Sequence, residues 1–114
     1  MPSDLESTHR WLNDMRHHIA MAESFVVDMD YRTFKDDYRT LYAVVRCLEI
    51  ISEASRRLPD ALKARHPSIA WHEMAAAGNI YRHEYEDVAA RRVWHTLTVS
   101  LPPLRAVVEQ ELTN

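Results

Sequence analysis

The densest run of side chains able to do chemistry lies between residues 79 and 95. His83 is flanked by Arg82, Glu84, Tyr85 and Glu86, and Arg91, Arg92 and His95 follow a few residues later. Guanidinium groups grip phosphate oxygens in a bidentate way, and an imidazole changes charge near neutral pH. Together they suit general acid-base work on a phosphodiester. The same residues also fit an interleaved Arg/Glu surface held by i,i+4 pairs. At about 100° per residue, Trp71, Met74, Gly78, Tyr81 and Tyr85 share one helix face, and His72, Ala76, Asn79 and His83 line up roughly opposite. The first face suits packing. The second either meets a substrate or partner or is simply solvated.

Other chemistries find less support. Seven histidines are many for 114 residues, but only Glu6-Ser-Thr-His9 has the Glu-x-x-His spacing, and a di-iron bundle needs two such motifs plus two more carboxylates. No Cys-x-x-Cys, His-Glu-x-x-His or EF-hand loop is present, and the reading for metal ligands is none. His17, His18 and His66 read as surface residues. There is no P-loop and no G-x-S-x-G, which leaves nucleotide hydrolysis and esterase chemistry without a motif. The single cysteine, Cys47, falls in an apolar helical stretch and reads as a buried thiol. Arg46, Glu49 and Glu53 fall on one side of the same helix. Two carboxylates four residues apart repel, so Arg46 or a third-helix arginine is expected to hold them.

Four helices are expected to position these groups. Leu5, Leu12, Met15, Ile19, Ala22, Val26 and Met29 make one apolar stripe, with Ser3 and Glu6 as its capping box. A second helix, capped by Thr33 with Asp36, carries Phe34, Tyr38, Leu41, Val45, Leu48, Ile51, Ser55 and Leu58 and ends at Pro59. Residues 60–69 hold a short helical turn and a loop. A third helix is expected from Ala70 to Tyr85. Asp87 can cap a fourth, bearing Trp94, Leu97, Leu101, Leu104, Val108 and Leu112, with a kink at Pro102-Pro103 because proline lacks the helical donor and clashes with the preceding turn.

No stretch alternates with period two, and no internal repeat is found. The predicted fold is therefore all-α: one domain, residues 1–114, an antiparallel four-helix bundle with a short extra turn and a Pro-kinked last helix. The longest apolar runs fall far below the roughly 18 residues of a membrane span, and the start lacks a secretory pattern, so a cytoplasmic location is expected. A net charge of −3 excludes whole-surface attraction to nucleic acid. Any RNA contact must come from a local patch.

Two stretches together resemble the HepT-like family of HEPN domains. The first is Phe34 to Ser55, FKDDYRTLYAVVRCLEIISEAS. The second runs from Ile69-Ala-Trp through Gly78-Asn-Ile-Tyr-Arg-His-Glu-Tyr85 to Val93-Trp and Leu101-Pro-Pro-Leu104. The resemblance covers nearly the whole chain in order. It implies a HEPN-like bundle and a metal-independent RNA endonuclease toxin without a cofactor. It also implies a homodimer whose active sites face the dimer cleft, cutting RNA, with tRNA a candidate.

The family signature is Arg, four residues, His, one residue, Tyr, which places the catalytic histidine at His83 and the motif tyrosine at Tyr85. The motif arginine falls on Gly78, a departure, since glycine offers no charge to a phosphate. Asn79 matches the asparagine that commonly follows the arginine, and the family's glycine in Ile-Ile-Gly-Glu-Ala is Ser52 here. Either Arg82 takes over the phosphate, with Arg91, Arg92 and Arg46 as further RNA contacts, or catalysis is lost and the chain is an interaction module. The resemblance also implies an MntA-like nucleotidyltransferase antitoxin, which in some members adds AMP to the motif tyrosine, here Tyr85.

Overall fold

The computed structural model describes residues 4–79 and 86–113. Their elements are α1 (Asp4–Phe25), α2 (Tyr31–Asp36), α3 (Tyr38–Arg57), α4 (Asp60–Ala64), α5 (Trp71–Ala76), α6 (Glu86–His95), a π-helical turn (Thr96–Ser100) and α7 (Leu101–Thr113). Among the described residues there is no strand, and the all-α bundle is observed. The long helices α1, α3 and α6–α7 carry it, and α5 packs on α3.

The apolar stripes explain the packing. Leu12, Met15, Ile19 and Ala22 of α1 are buried at spacings of three and four, against Leu41, Val44, Leu48 and Ile51 of α3 and Leu101, Leu104 and Val108 of α7 in one core. Each such large side chain contributes roughly 1.5–3 kcal/mol on leaving water, so these rows hold the three long helices together. Arg105 of α7 also pairs with Glu23 of α1 across the surface. No helix among the described residues is long and apolar enough to cross a membrane.

Four boundaries differ from expectation, each for a local reason. The first helix stops at Phe25, because Asp28 takes a left-handed conformation (φ 69°), which aspartate tolerates better than most side chains. Val26 and Met29 therefore lie beyond it, and Ser3 is outside the described residues. The second expected helix is two helices. Asp30 caps α2 by accepting from Thr33 N–H at 2.9 Å and Thr33 Oγ at 2.8 Å, and Asp37 caps α3 the same way with Thr40, at 3.0 and 2.9 Å. Thr33 is thus a partner of the cap and not the cap. Both caps use one tetrapeptide, Asp-Tyr-Arg-Thr, at 30–33 and 37–40, a short repeat that the helical periodicity conceals. The offset between α2 and α3 lets Phe34 bury fully against the Trp94 ring of α6, centroids 5.0 Å apart.

The described part of the last helix opens with α6 at Glu86, and Asp87 lies within it. Its irregularity precedes the prolines. Thr96–Ser100 is π-helical and the Leu101 N–H reaches Thr96 O. Pro102 and Pro103 then sit in the first turn of α7, where the missing N–H groups cost least. The π-turn absorbs what a simple kink was expected to absorb.

Candidate functional site

The seam between α3 and α5 decides where the functional segment begins. Ser52 is buried on α3, and its hydroxyl donates to Met74 O at 2.9 Å while accepting from Gly78 N–H at 2.8 Å. Gly78 N–H and Met74 O are the pair that would close the next α-helical rung. The hydroxyl stands inside that rung, and insertion of this kind ends regular helix. The Ala77 N–H then reaches Met74 O three residues back, and 77–79 continue as 3₁₀-helix. The expected helix from Ala70 to Tyr85 is therefore α-helical only over Trp71–Ala76 before this change, and its part beyond residue 79 lies outside the described residues.

Gly78 is needed where it is. A Cβ there would stand 2.8 Å from Glu49 Cα and 3.3 Å from Ser52 Oγ, so the backbones of the two segments are as close as they can come. Its φ is not positive, so space and not backbone freedom demands the glycine. Arg56 strengthens the seam by donating to Ala75 O at the end of α5. Arg56 and Arg57 also both donate to Glu53, at 2.9 Å each, and hold its carboxyl below the usual carboxylate range. Among the described residues Glu53 is thus held by Arg56 and Arg57 of its own helix, while Arg46, also on that helix, lies 4.0 Å from Glu49.

Beside this seam α5 and α6 enclose a cleft of about 660 Å³. Asn79 lines it from one side, Arg91, Arg92 and His95 from the other, and Thr96 and Ser100 of the π-turn are part of its wall. Asn79, Arg91, Arg92 and His95 are all exposed. The Arg91 guanidinium lies 6.0 Å over the Tyr31 ring of α2, a cation–π contact that steadies it. Glu73 is the one acid among the described lining residues. Among the described lining residues two arginines and a histidine stand with one carboxylate, and guanidinium groups are the side chains that suit phosphate and carboxylate oxygens.

The sequence-derived candidates divide into three groups. Asn79, Arg91 and Arg92 meet in the cleft. Arg46 does not line it: its side chain is 70% exposed on α3, 4.0 Å from Glu49. Arg82, His83 and Tyr85 lie outside the described residues, as does Tyr81. Of the two helix faces, the described parts match the pattern, with Met74 and Gly78 buried and His72, Ala76 and Asn79 exposed. His95 enters the cleft with the arginines it follows in sequence. Thr96 and Ser100 join them, and in the sequence only their helical spacing from Arg92 signals them.

Two further titratable sites lie elsewhere. His66 is not a surface residue: its side chain is 11% exposed and its Nε2 is 2.6 Å from Glu111, which also takes 2.8 Å from Arg65. Arg65 first, with His66, holds the buried Glu111 carboxyl below its ordinary value. Cys47 is buried as expected, and burial pushes its thiol up, which leaves it a poor nucleophile. Among the described residues no cluster of three or more His, Cys, Asp or Glu could hold a metal ion.

Known proteins resemble this chain over most of its length. The family model for ribonuclease HepT-like proteins matches residues 15–111. A probable ribonuclease HepT of Thermococcus cleftensis is 35% identical over 107 residues, covering 93% of this chain and 97% of that one. A Methanocaldococcus jannaschii protein named, provisionally, as an RNase is 31% identical over 100 residues, 88% of this chain and 86% of the relative. Another provisionally named RNase, from Caldanaerobacter subterraneus, is 31% identical over 99 residues, covering 83% and 88%. No solved structure matches the chain significantly. With the family model spanning most of its length and relatives aligned almost end to end, the chain belongs to the HepT-like ribonuclease family.

Proposed function

We propose that this protein is an endoribonuclease that cuts RNA without a metal ion, acts as a homodimer, and is the toxin of a pair whose antitoxin is a nucleotidyltransferase. The observation that carries the proposal is the family match over 15–111, and the resemblance that places the family's His-x-Tyr pair at His83 and Tyr85 supplies the residues. The cationic cleft that begins at Asn79 supports it. In this reading His83 moves a proton to or from the attacking ribose hydroxyl or the leaving oxygen, Arg82 steadies phosphate charge, and Asn79 orients the scissile group. Tyr85 is the site the antitoxin modifies. An AMP there would set a phosphate's negative charge beside His83 and shut the substrate out. The test is incubation of purified protein with RNA in EDTA, beside His83→Ala. Cleavage by wild type alone supports the reading, and equal survival of RNA with both proteins at high concentration refutes it.

A second reading rests on Gly78. Where the family motif has its arginine, this chain has a residue with no room for a side chain. A chain that had lost catalysis would still dimerise and bind its nucleotidyltransferase, and co-purification with that partner in the absence of RNA cleavage would favour this reading.

A further inference from the structure

Resting on the ribonuclease reading, we propose that the cleft between α5 and α6 is a phosphate-binding track for single-stranded RNA, with Arg91, Arg92 and His95 supplying the cationic grip that position 78 cannot. The first support is steric. Even a methyl group at 78 meets Glu49 Cα at 2.8 Å, so a guanidinium cannot be carried from that position without displacing the backbone of α3. The nearest described guanidinium groups that share a cleft with Asn79 belong to α6.

The second support is the way charge is gathered. The chain as a whole is net −3, yet the cleft collects two arginines and a histidine against Glu73 alone among its described lining residues. Attraction of a polyanion must then be local and short-ranged. Arg91 and Arg92 are adjacent on α6 and His95 lies one turn further on, so the three gather within about 6 Å along the helix axis, room for one or two phosphates of a strand. A cleft of about 660 Å³ is roomy enough for a nucleotide-sized group.

The third support is the π-turn. Thr96 and Ser100, both within Thr96–Ser100, line the same cleft as the arginines. Turns of this kind recur at functional sites, because the extra residue widens the backbone and re-aims side chains. Of its hydroxyls, Thr96 is buried and donates to the Arg92 carbonyl at 3.0 Å, which ties the turn to the arginine-bearing helix, and Ser100 is part of the cleft wall. None of these residues belongs to the His-x-Tyr motif, so the track is separable from the chemistry.

The experiment uses the full chain and a labelled 15-nucleotide single-stranded RNA, with anisotropy read at several salt concentrations. Arg91→Gln, Arg92→Gln and His95→Gln are compared with Arg16→Gln, an exposed arginine on α1 far along the sequence from the cleft. Each arginine variant is expected to weaken binding about 3–10-fold and to flatten the log Kd against log salt slope by about 0.7, one phosphate contact on a single strand. His95→Gln is expected to weaken binding by a smaller factor, and Arg16→Gln by less than twofold. Thermal melts confirm that these surface variants stay folded. Unchanged affinity and slope in the α6 variants, no RNA binding by wild type, or equally tight binding of a hexaglutamate peptide would overturn the proposal. Cleavage is read separately. RNA binding that depends on α6 without any cleavage keeps the track and removes the ribonuclease reading, whereas cleavage with binding indifferent to α6 does the reverse.

Discussion

Replacing Gly78 by alanine sets two effects of opposite sign against each other. Alanine in a helical segment is preferred over glycine by roughly 0.5–1 kcal/mol, and with no positive φ at Gly78 nothing in the backbone opposes it. By propensity alone the variant would be more stable. The added Cβ, however, meets Glu49 Cα at 2.8 Å and Ser52 Oγ at 3.3 Å. Backbone cannot rotate away as a side-chain tip can, so α3 and the 3₁₀ segment must separate. Overpacking of this kind costs about 1–3 kcal/mol, and separation also lengthens the 2.8 Å bond from Gly78 N–H to Ser52, worth about 1 kcal/mol. The balance is a net loss of about 1–3 kcal/mol, read as a melting temperature lower by roughly 4–12 °C for a domain of this size. Chemical denaturation with an unchanged m value gives the free energy directly. Adding Ser52→Gly relieves the contact at 3.3 Å but leaves Glu49 Cα in place, so the double variant recovers at most a minor part. A Gly78→Ala protein at least as stable as wild type would refute the close-contact reasoning, and with it the claim that no cation can be carried from position 78.

Further outcomes follow from other contacts. Glu111→Gln should cost about 2 kcal/mol above pH 5, because it weakens a buried carboxylate bonded to Arg65 and His66. Since the folded carboxyl is held below its ordinary value of 4.5, its contribution is present above that pH and fades as pH falls through the lower folded value, so the gap between wild-type and variant melting temperatures should narrow below about pH 4. Phe34→Ala should cost about 3–4 kcal/mol by emptying a fully buried site against Trp94, measured by urea denaturation. Asp37→Ala should lower the melting temperature by a few degrees and Asp37→Asn by less, because asparagine keeps one acceptor for the Thr40 N–H. Gly78→Arg should fail to raise RNA cleavage, since the seam opens before the guanidinium can be placed, and thermal melts alongside the cleavage assay would show both effects.

Much of the bundle was legible because it rests on local spacing. The rows Leu12, Met15, Ile19, Ala22 and Leu101, Leu104, Val108 are buried as their three- and four-residue intervals imply. What the spacing could not show depends on partners far along the chain. The α5 helix ends where it does because a hydroxyl 26 residues earlier stands in its hydrogen-bond ladder, and His66 is half-buried because its partner Glu111 lies 45 residues on. The caps were misread for another reason. Thr33 is a fair cap by composition, and only the pairing of each threonine with the aspartate three residues before it reveals Asp30 and Asp37 as the acceptors. Of the candidate site, Asn79, Arg91 and Arg92 could be grouped from sequence because they lie close together along the chain, whereas Arg46, grouped with them by resemblance, stands apart on α3.

The most direct measurement is single-turnover cleavage of end-labelled RNA in excess EDTA, with the new ends identified. Wild type is expected to cut and to leave 2′,3′-cyclic phosphate, the product of attack by the neighbouring ribose hydroxyl, while His83→Ala slows cutting at least about 100-fold, as loss of a proton-transfer group does. Cutting that stops in EDTA, or equal rates for the two proteins, would contradict a metal-free reaction run by His83.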